Sequence, residues 1–224
     1  TGAMTQAQRA TRIRLADFTS VPMRAFHVTW AAFFVCFFAW FAVAPLMPTI
    51  RDELGLTRTQ IGNAMVASVA VTILARLVIG RLLDTYGPRR TYTALLAFSA
   101  FPVLGLAMAQ DYTQFLVARL LVGIVGASFV ITQYHTSVMF APNVVGTANA
   151  ASAGWGNLGG GVTQIAMPLV LLGVVALGVQ EGAWRYALVL PAVLLLLASV
   201  AYYRLTQDTP AGNYPEARPA TQQK

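Results

Sequence analysis

Six apolar stretches, each about as long as a lipid bilayer is thick, leave this chain few ways to fold. They run over residues 26–47, 60–83, 91–109, 114–140, 145–177 and 186–203. A helix rises about 1.5 Å per residue, so about 20 apolar residues cross a hydrocarbon core about 30 Å thick. In lipid the backbone must satisfy its own hydrogen bonds, which a helix does within a single segment. The reading is an all-α membrane protein with six transmembrane helices. Charged residues make up 10% of the chain, against about 25% in soluble domains. Pro168 inside the fifth stretch predicts a kink or an early exit from the membrane. Polar connections with turn signals separate the stretches at 51–55, 84–90, 111–112, 142–143 and 181–185.

The ends divide the chain into a cytoplasmic N-terminal segment over 1–25, a six-helix domain over 26–204 and a flexible cytoplasmic tail over 205–224. Thr1 to Ala3 precede a methionine and read as a cloning remnant. The first apolar run follows a basic segment, but it is too long for a signal-peptide core and is read as a retained helix.

Orientation follows from arginine and lysine in the short connections. With the N-terminus in the cytoplasm, that side holds Arg9, Arg12, Arg14, Arg24, Arg81, Arg89, Arg90, Arg204, Arg218 and Lys224. The other side holds Arg51, Arg58 and Arg185, while Arg76 and Arg119 fall inside spans. Both termini are therefore placed in the cytoplasm. A net charge of +7 could signal nucleic acid, but the charges cluster at span ends and form no basic stripe. The single cysteine, Cys36, excludes an intramolecular disulfide and reads as apolar filler. No nucleophile–base pairing, metal-ligand cluster or phosphate loop supports an enzyme, a cofactor or a metal.

The connection after the second span reads Gly80-Arg81-Leu82-Leu83-Asp84-Thr85-Tyr86-Gly87-Pro88-Arg89-Arg90. Gly87 permits a tight reversal, Asp84 can pair with an arginine, and Arg89 and Arg90 hold the cytoplasmic face. This pattern of Gly80, Asp84, Gly87, Arg89 and Arg90 resembles the hallmark loop of the major facilitator superfamily. Arg119-Leu120-Leu121-Val122-Gly123 is similar to that superfamily's fourth-helix motif. Six spans with both ends inside make one half of such a transporter.

The fifth span carries Ala153-Gly154-Trp155-Gly156-Asn157-Leu158-Gly159-Gly160-Gly161-Val162-Thr163-Gln164. It resembles the glycine-rich signature of the nitrate/nitrite porter family, as do Phe140 to Ala150 and Asp208 to Tyr214. The resemblance covers essentially the whole chain but only the first half of a full-length family member. Glycine in a helix costs up to about 1 kcal/mol relative to alanine, so the cluster needs a compensating gain. Gly156 and Gly160 form a small-xxx-small pair suited to close helix approach. Ala150, Gly154, Asn157, Gly161 and Gln164 share a face that offers two amides to a small anion.

Arg76 lies two turns before Asp84, roughly 12 Å from the cytoplasmic end of its helix. An arginine inside the membrane costs at least about 2.5 kcal/mol and faces a cavity or partner, unless it snorkels to the interface. Ser68, Thr72, Arg76 and Gly80 form a stripe at i, i+4 spacing, and no acidic residue sits mid-span to neutralise the arginine. A guanidinium matches a planar oxyanion. The resemblance implies that an arginine in this helix binds substrate and that Phe129 packs against it. Phe129, Thr132, Gln133 and Thr136 share a face of the fourth span, and Phe129 as ordinary core stays open. His135 reads as a polar histidine at a helix interface, Arg119 as structural, and Trp30 and Trp40 as lipid-facing or interfacial bulk.

The expectation is secondary transport of nitrate or nitrite by alternating access, in a bacterial inner membrane. Arg76, Asn157, Phe129, Gln164, Gly154, Gly156, Gly160 and Gly161 are the substrate residues. Proton symport and anion exchange both stay open. A half-length unit needs a homodimer or a complementary six-helix half; the alternative is a non-transporting membrane subunit.

Overall fold

The computed structural model describes residues 9–214 and is helical almost throughout. In chain order the helices are α1 (Val21–Phe41), α2 (Met47–Leu54), α3 (Arg58–Met108), α4 (Tyr112–Val122), α5 (Ser128–Met139), α6 (Val145–Ala176), α7 (Ala183–Ala187) and α8 (Val189–Leu205). Short 3-10 turns, Ala44–Leu46 and Gly123–Ala127, join α1 to α2 and α4 to α5. Among the described residues, five helical stretches are long and apolar enough to cross a membrane. The longest, the 51 residues of α3, breaks at Gly87 (φ 78, ψ 167), so it supplies two spans and the total is the expected six.

The expected loop over 84–90 is thus a one-residue break. Helix runs up to Gly87, which takes a backbone conformation other residues avoid. Pro88 then opens the next limb, where a missing N–H costs nothing. The first span starts at Val21 rather than Phe26, with Pro22 in its first turn, where a missing N–H costs nothing. Pro168 brings no break, and α6 runs unbroken over its 32 residues.

Polar side chains close the helix ends. Thr57 and Gln60 form a reciprocal cap on α3 at 3.2 and 2.9 Å, and Asp111 accepts from the Gln114 N–H at 2.8 Å on α4.

Small residues let the spans approach. Ser152, Gly156, Gly159, Thr163 and Met167 form the buried face of α6. A Cβ at Gly156 would lie 2.0 Å from the Phe33 ring, and one at Gly159 would lie 2.0 Å from the Phe34 carbonyl oxygen. The partner of Gly156 in helix packing is therefore Gly159 rather than Gly160, which meets only the edge of Phe41. Gly123 plays the same part where α4 crosses α3, since a Cβ there would lie 2.0 Å from the Ser68 carbonyl.

The two ends of the bundle are held by different chemistry. At one end the guanidinium of Arg185 donates to Glu53 at 2.8 and 3.0 Å and to the carbonyls of Ala107 and Ala109. Trp184 donates to the same Glu53 at 2.7 Å. At the other end Asn143 donates to Thr11, Arg24 to Leu205 and Arg89 to Tyr203. The arginine-rich connections thus meet at one end of the bundle. Arg218 and Lys224 lie outside the described residues, as do Thr1 to Ala3.

Residues 206–214, the described part of the expected tail, fold back onto the bundle. The carboxylate of Asp208 accepts from the Arg89 N–H at 2.8 Å and the Tyr214 N–H at 3.0 Å. Burial pushes the Tyr214 phenol well above its ordinary range, helped by its hydrogen bond to the Tyr134 hydroxyl and by the carboxylates of Asp208 and Asp84.

Candidate functional site

The α3 stripe divides at Arg76. Ser68 is buried and accepts from the Trp40 indole at 2.9 Å. Thr72 is buried too and donates to the Gly123 carbonyl at 2.9 Å. These two belong to the seam between α3 and α4, and Trp40 joins it rather than standing in lipid. One turn further on, Arg76 is exposed, with its guanidinium carbon 5.8 Å from the centroid of the Phe129 ring. Cations favour such a position over an aromatic face. Arg76 makes no ion pair among the described residues.

Phe129 is half-buried and continues to Phe33, ring centroid to ring centroid 5.9 Å. Phe33 lies against Gly156 of α6. A line of contact therefore runs from Arg76 through Phe129 and Phe33 to the glycine-rich helix. Gly156 is sealed by Phe33, and Gly160 is half-buried beside Phe41. Gly154 and Gly161 have open space where a Cβ would stand, and Asn157 and Gln164 are exposed with them. The face expected from helical spacing is real, though Gln164 folds back toward the Gly160 carbonyl at 3.4 Å.

Polar groups that spacing alone did not join lie beside this line. Gln133 donates to the Asn149 carbonyl at 3.4 Å, and the Asn149 amide donates to Ser137 at 2.8 Å. Asn149 Oδ1 is buried without a partner among the described residues. The signal available in the sequence was the spacing of Phe129, Gln133 and Ser137, which places them on one face of α5.

Three other residues are tied to neighbours within the bundle. Arg119 is 8% exposed and donates to the Trp40 carbonyl at 3.1 Å. His135 is buried, with Nδ1 paired to the Tyr202 hydroxyl at 2.5 Å and Nε2 to the Gln207 carbonyl at 2.9 Å. Trp30 is half-buried and donates to His27 at 3.3 Å. Of the loop residues, Asp84, Arg89 and Arg90 flank the break at Gly87, while Gly80 lies within α3, one turn after Arg76. No group of three or more histidine, cysteine or acidic residues able to hold a metal occurs among the described residues.

The family profile of the Major Facilitator Superfamily matches residues 29–223. The chain is 42% identical over 207 residues to "High affinity nitrate transporter 2.5" of Arabidopsis thaliana, covering 92% of this chain and 41% of that protein. It is 41% identical over 189 residues to "Nitrate/nitrite transporter NrtP" of Nostoc punctiforme, covering 84% and 38%. It thus spans about two fifths of the length of the curated relatives it matches. Among solved structures, the human organic anion transporter MFSD10 (TETRAN) shares the fold with a TM-score of 0.58 at 15% identity, over 88% of this chain and 52% of that one. The superfamily consists of membrane transporters, not enzymes. This chain is an integral membrane protein and belongs to the Major Facilitator Superfamily.

Proposed function

We propose that the chain is the first half of a nitrate or nitrite transporter and supplies one wall of its substrate path. The observation that carries this reading is the position of Arg76. It is an intramembrane cation with no acidic partner among the described residues, resting over Phe129 and exposed, as Asn157 is on α6. A cation left there costs free energy that a passing anion offsets. The fork of donors on a guanidinium fits the planar edge of nitrate or nitrite, and the Phe129 face fixes the plane of the fork. Asn157 and Gln164 add hydrogen bonds, while Gly154 and Gly161 leave the surface bare enough for a small ion.

Alternating access needs an opposing wall. Either a second copy or a complementary six-helix half supplies it, and two parallel copies would bring Arg76 of each to the shared axis. The curated nitrate transporters, more than twice as long, support a second half as the opposing wall.

The test is nitrate and nitrite flux into proteoliposomes, with the chain alone and with a co-expressed second half from a relative. Flux in either arrangement that Arg76→Ala abolishes and Arg76→Lys only partly keeps is the expected result. Flux indifferent to Arg76→Ala would overturn the reading.

A further inference from the structure

An apolar groove of about 880 Å³ opens between α1, α6 and α8. Val28, Ala31, Trp155, Leu194 and Ala198 are among its walls, and Leu15, Phe18 and Leu205 stand at its mouth. Apart from His27 its lining is apolar or aromatic. Phe18 stacks on the His27 ring at 4.4 Å and roofs that single polar wall.

The groove has a length and an end. It follows α1 from His27 to Val35 and α8 from Leu205 back to Leu194. At 1.5 Å per residue these are about 12 and 16 Å, close to one leaflet of a hydrocarbon core about 30 Å thick. Its mouth lies at the arginine-rich end of the bundle. Arg24 stands on the rim, its Nε donating to the carbonyl of the groove residue Leu205 at 2.9 Å. Arg14 and Arg204 are exposed chain neighbours of Leu15 and Leu205. The nearby carboxylate of Asp17 is taken up by Thr19 and Ser20.

We propose that this groove holds one acyl chain of an anionic phospholipid from the cytoplasmic leaflet, with its phosphate drawn to Arg24, Arg204 and Arg14. The apolar walls alone would accept the chain of any lipid. The basic rim selects the charge, since juxtamembrane arginines attract anionic head groups. Leu15 and Phe18, exposed and apolar ahead of α1, lie where the lipid's glycerol region would meet them. The proposal does not depend on the anion path, although Trp155 and Leu158 of the groove wall are chain neighbours of Gly154 and Asn157.

The groove carries its own reporters. Trp30 and Trp155 stand on its wall, 5.6 Å apart between ring centroids. The full chain is placed in phosphatidylcholine nanodiscs containing a small share of lipid brominated on its acyl chain, either phosphatidylglycerol or phosphatidylcholine. Bound lipid is also counted by native mass spectrometry. Brominated phosphatidylglycerol is expected to quench tryptophan emission at lower mole fraction than brominated phosphatidylcholine. The double variant Arg24→Gln, Arg204→Gln should reduce that preference at least about five-fold. Ala198→Phe, or the milder Ala31→Val if the first does not fold, should release the retained lipid while Arg24→Lys keeps it. Equal quenching by the two lipids on the unaltered chain, or lipid retention unchanged by filling the groove, would overturn the proposal.

Discussion

Asp208 occupies the space that a side chain at position 87 would need. A Cβ built on Gly87 would lie 2.5 Å from Asp208 Oδ1, while the same carboxylate binds the Arg89 N–H two residues on. The break between the second and third spans is therefore shaped twice, by glycine's freedom at φ 78 and by an acidic group arriving from beyond α8. His135 secures that arrival from inside the bundle through the Gln207 carbonyl. The tail turn, the Gly87 break and α5 form one fixture at this end of the bundle.

This fixture sets the first expected outcome. Gly87→Ala meets both a strained backbone and a clash, and should cost about 1–3 kcal/mol. Asp208→Ala, which strands two backbone donors, should cost a similar amount. Cys36, buried at 0% exposure, supplies the readout, because a thiol reagent reaches it only when the bundle opens. The temperature of Cys36 labelling should fall for both variants and not fall for Gly80→Ala, where a Cβ meets open space.

The glycines of α6 make a sharper contrast. Gly159→Ala drives a methyl into the Phe34 carbonyl and must push α1 away, so a loss of at least about 2 kcal/mol is expected. Gly154→Ala and Gly161→Ala find empty space and gain helix propensity worth up to about 1 kcal/mol. They should label at or above the wild-type temperature. If they also weaken nitrate flux, the glycines on that face serve the ion rather than the fold.

What the sequence made legible follows the range of the forces involved. Span number rests on apolar length, and the Gly87 reversal on one residue's backbone, so both could be read locally. Which glycines of α6 meet α1 depends on how the helix is turned, and i, i+4 spacing singled out Gly156 with Gly160 where packing uses Gly156 with Gly159. The pairings of Thr29, His135 and Tyr202 join residues 67 to 173 positions apart, which no local pattern announces. Arg76 could be picked out because a charge inside a span is costly wherever it points. Its seat over Phe129 needed the fold.

At the opposite end, Arg185 should prove irreplaceable by lysine. Its fork binds Glu53 while another nitrogen serves the carbonyls of Ala107 and Ala109 at 2.9 and 2.6 Å, closing the end of α3. An ammonium cannot span both. Arg185→Ala should cost about 1–3 kcal/mol, and Arg185→Lys should recover less than half of the lost labelling temperature. Full recovery by lysine would mean that the charge, and not the fork, holds that end.

Acid should reach the other end late. Asp17 accepts from the Ser20 hydroxyl at 2.6 Å and N–H at 3.0 Å, and from the Thr19 N–H and hydroxyl, each at 2.9 Å. These bonds, those from Ser20 first, hold its carboxyl well below the ordinary carboxylate value of about 3.9. A carboxyl whose pKa is lower in the folded than in the unfolded chain favours the folded state fully above the unfolded value. That advantage declines below about pH 4 and is gone once the pH has fallen through the folded value. The difference in labelling temperature between the wild-type chain and Asp17→Ala should therefore be constant from pH 7 to pH 5. It should narrow only under stronger acid, with labelling done after return to a common pH. A difference that had already vanished at pH 5 would mean that Asp17 is not holding the start of α1.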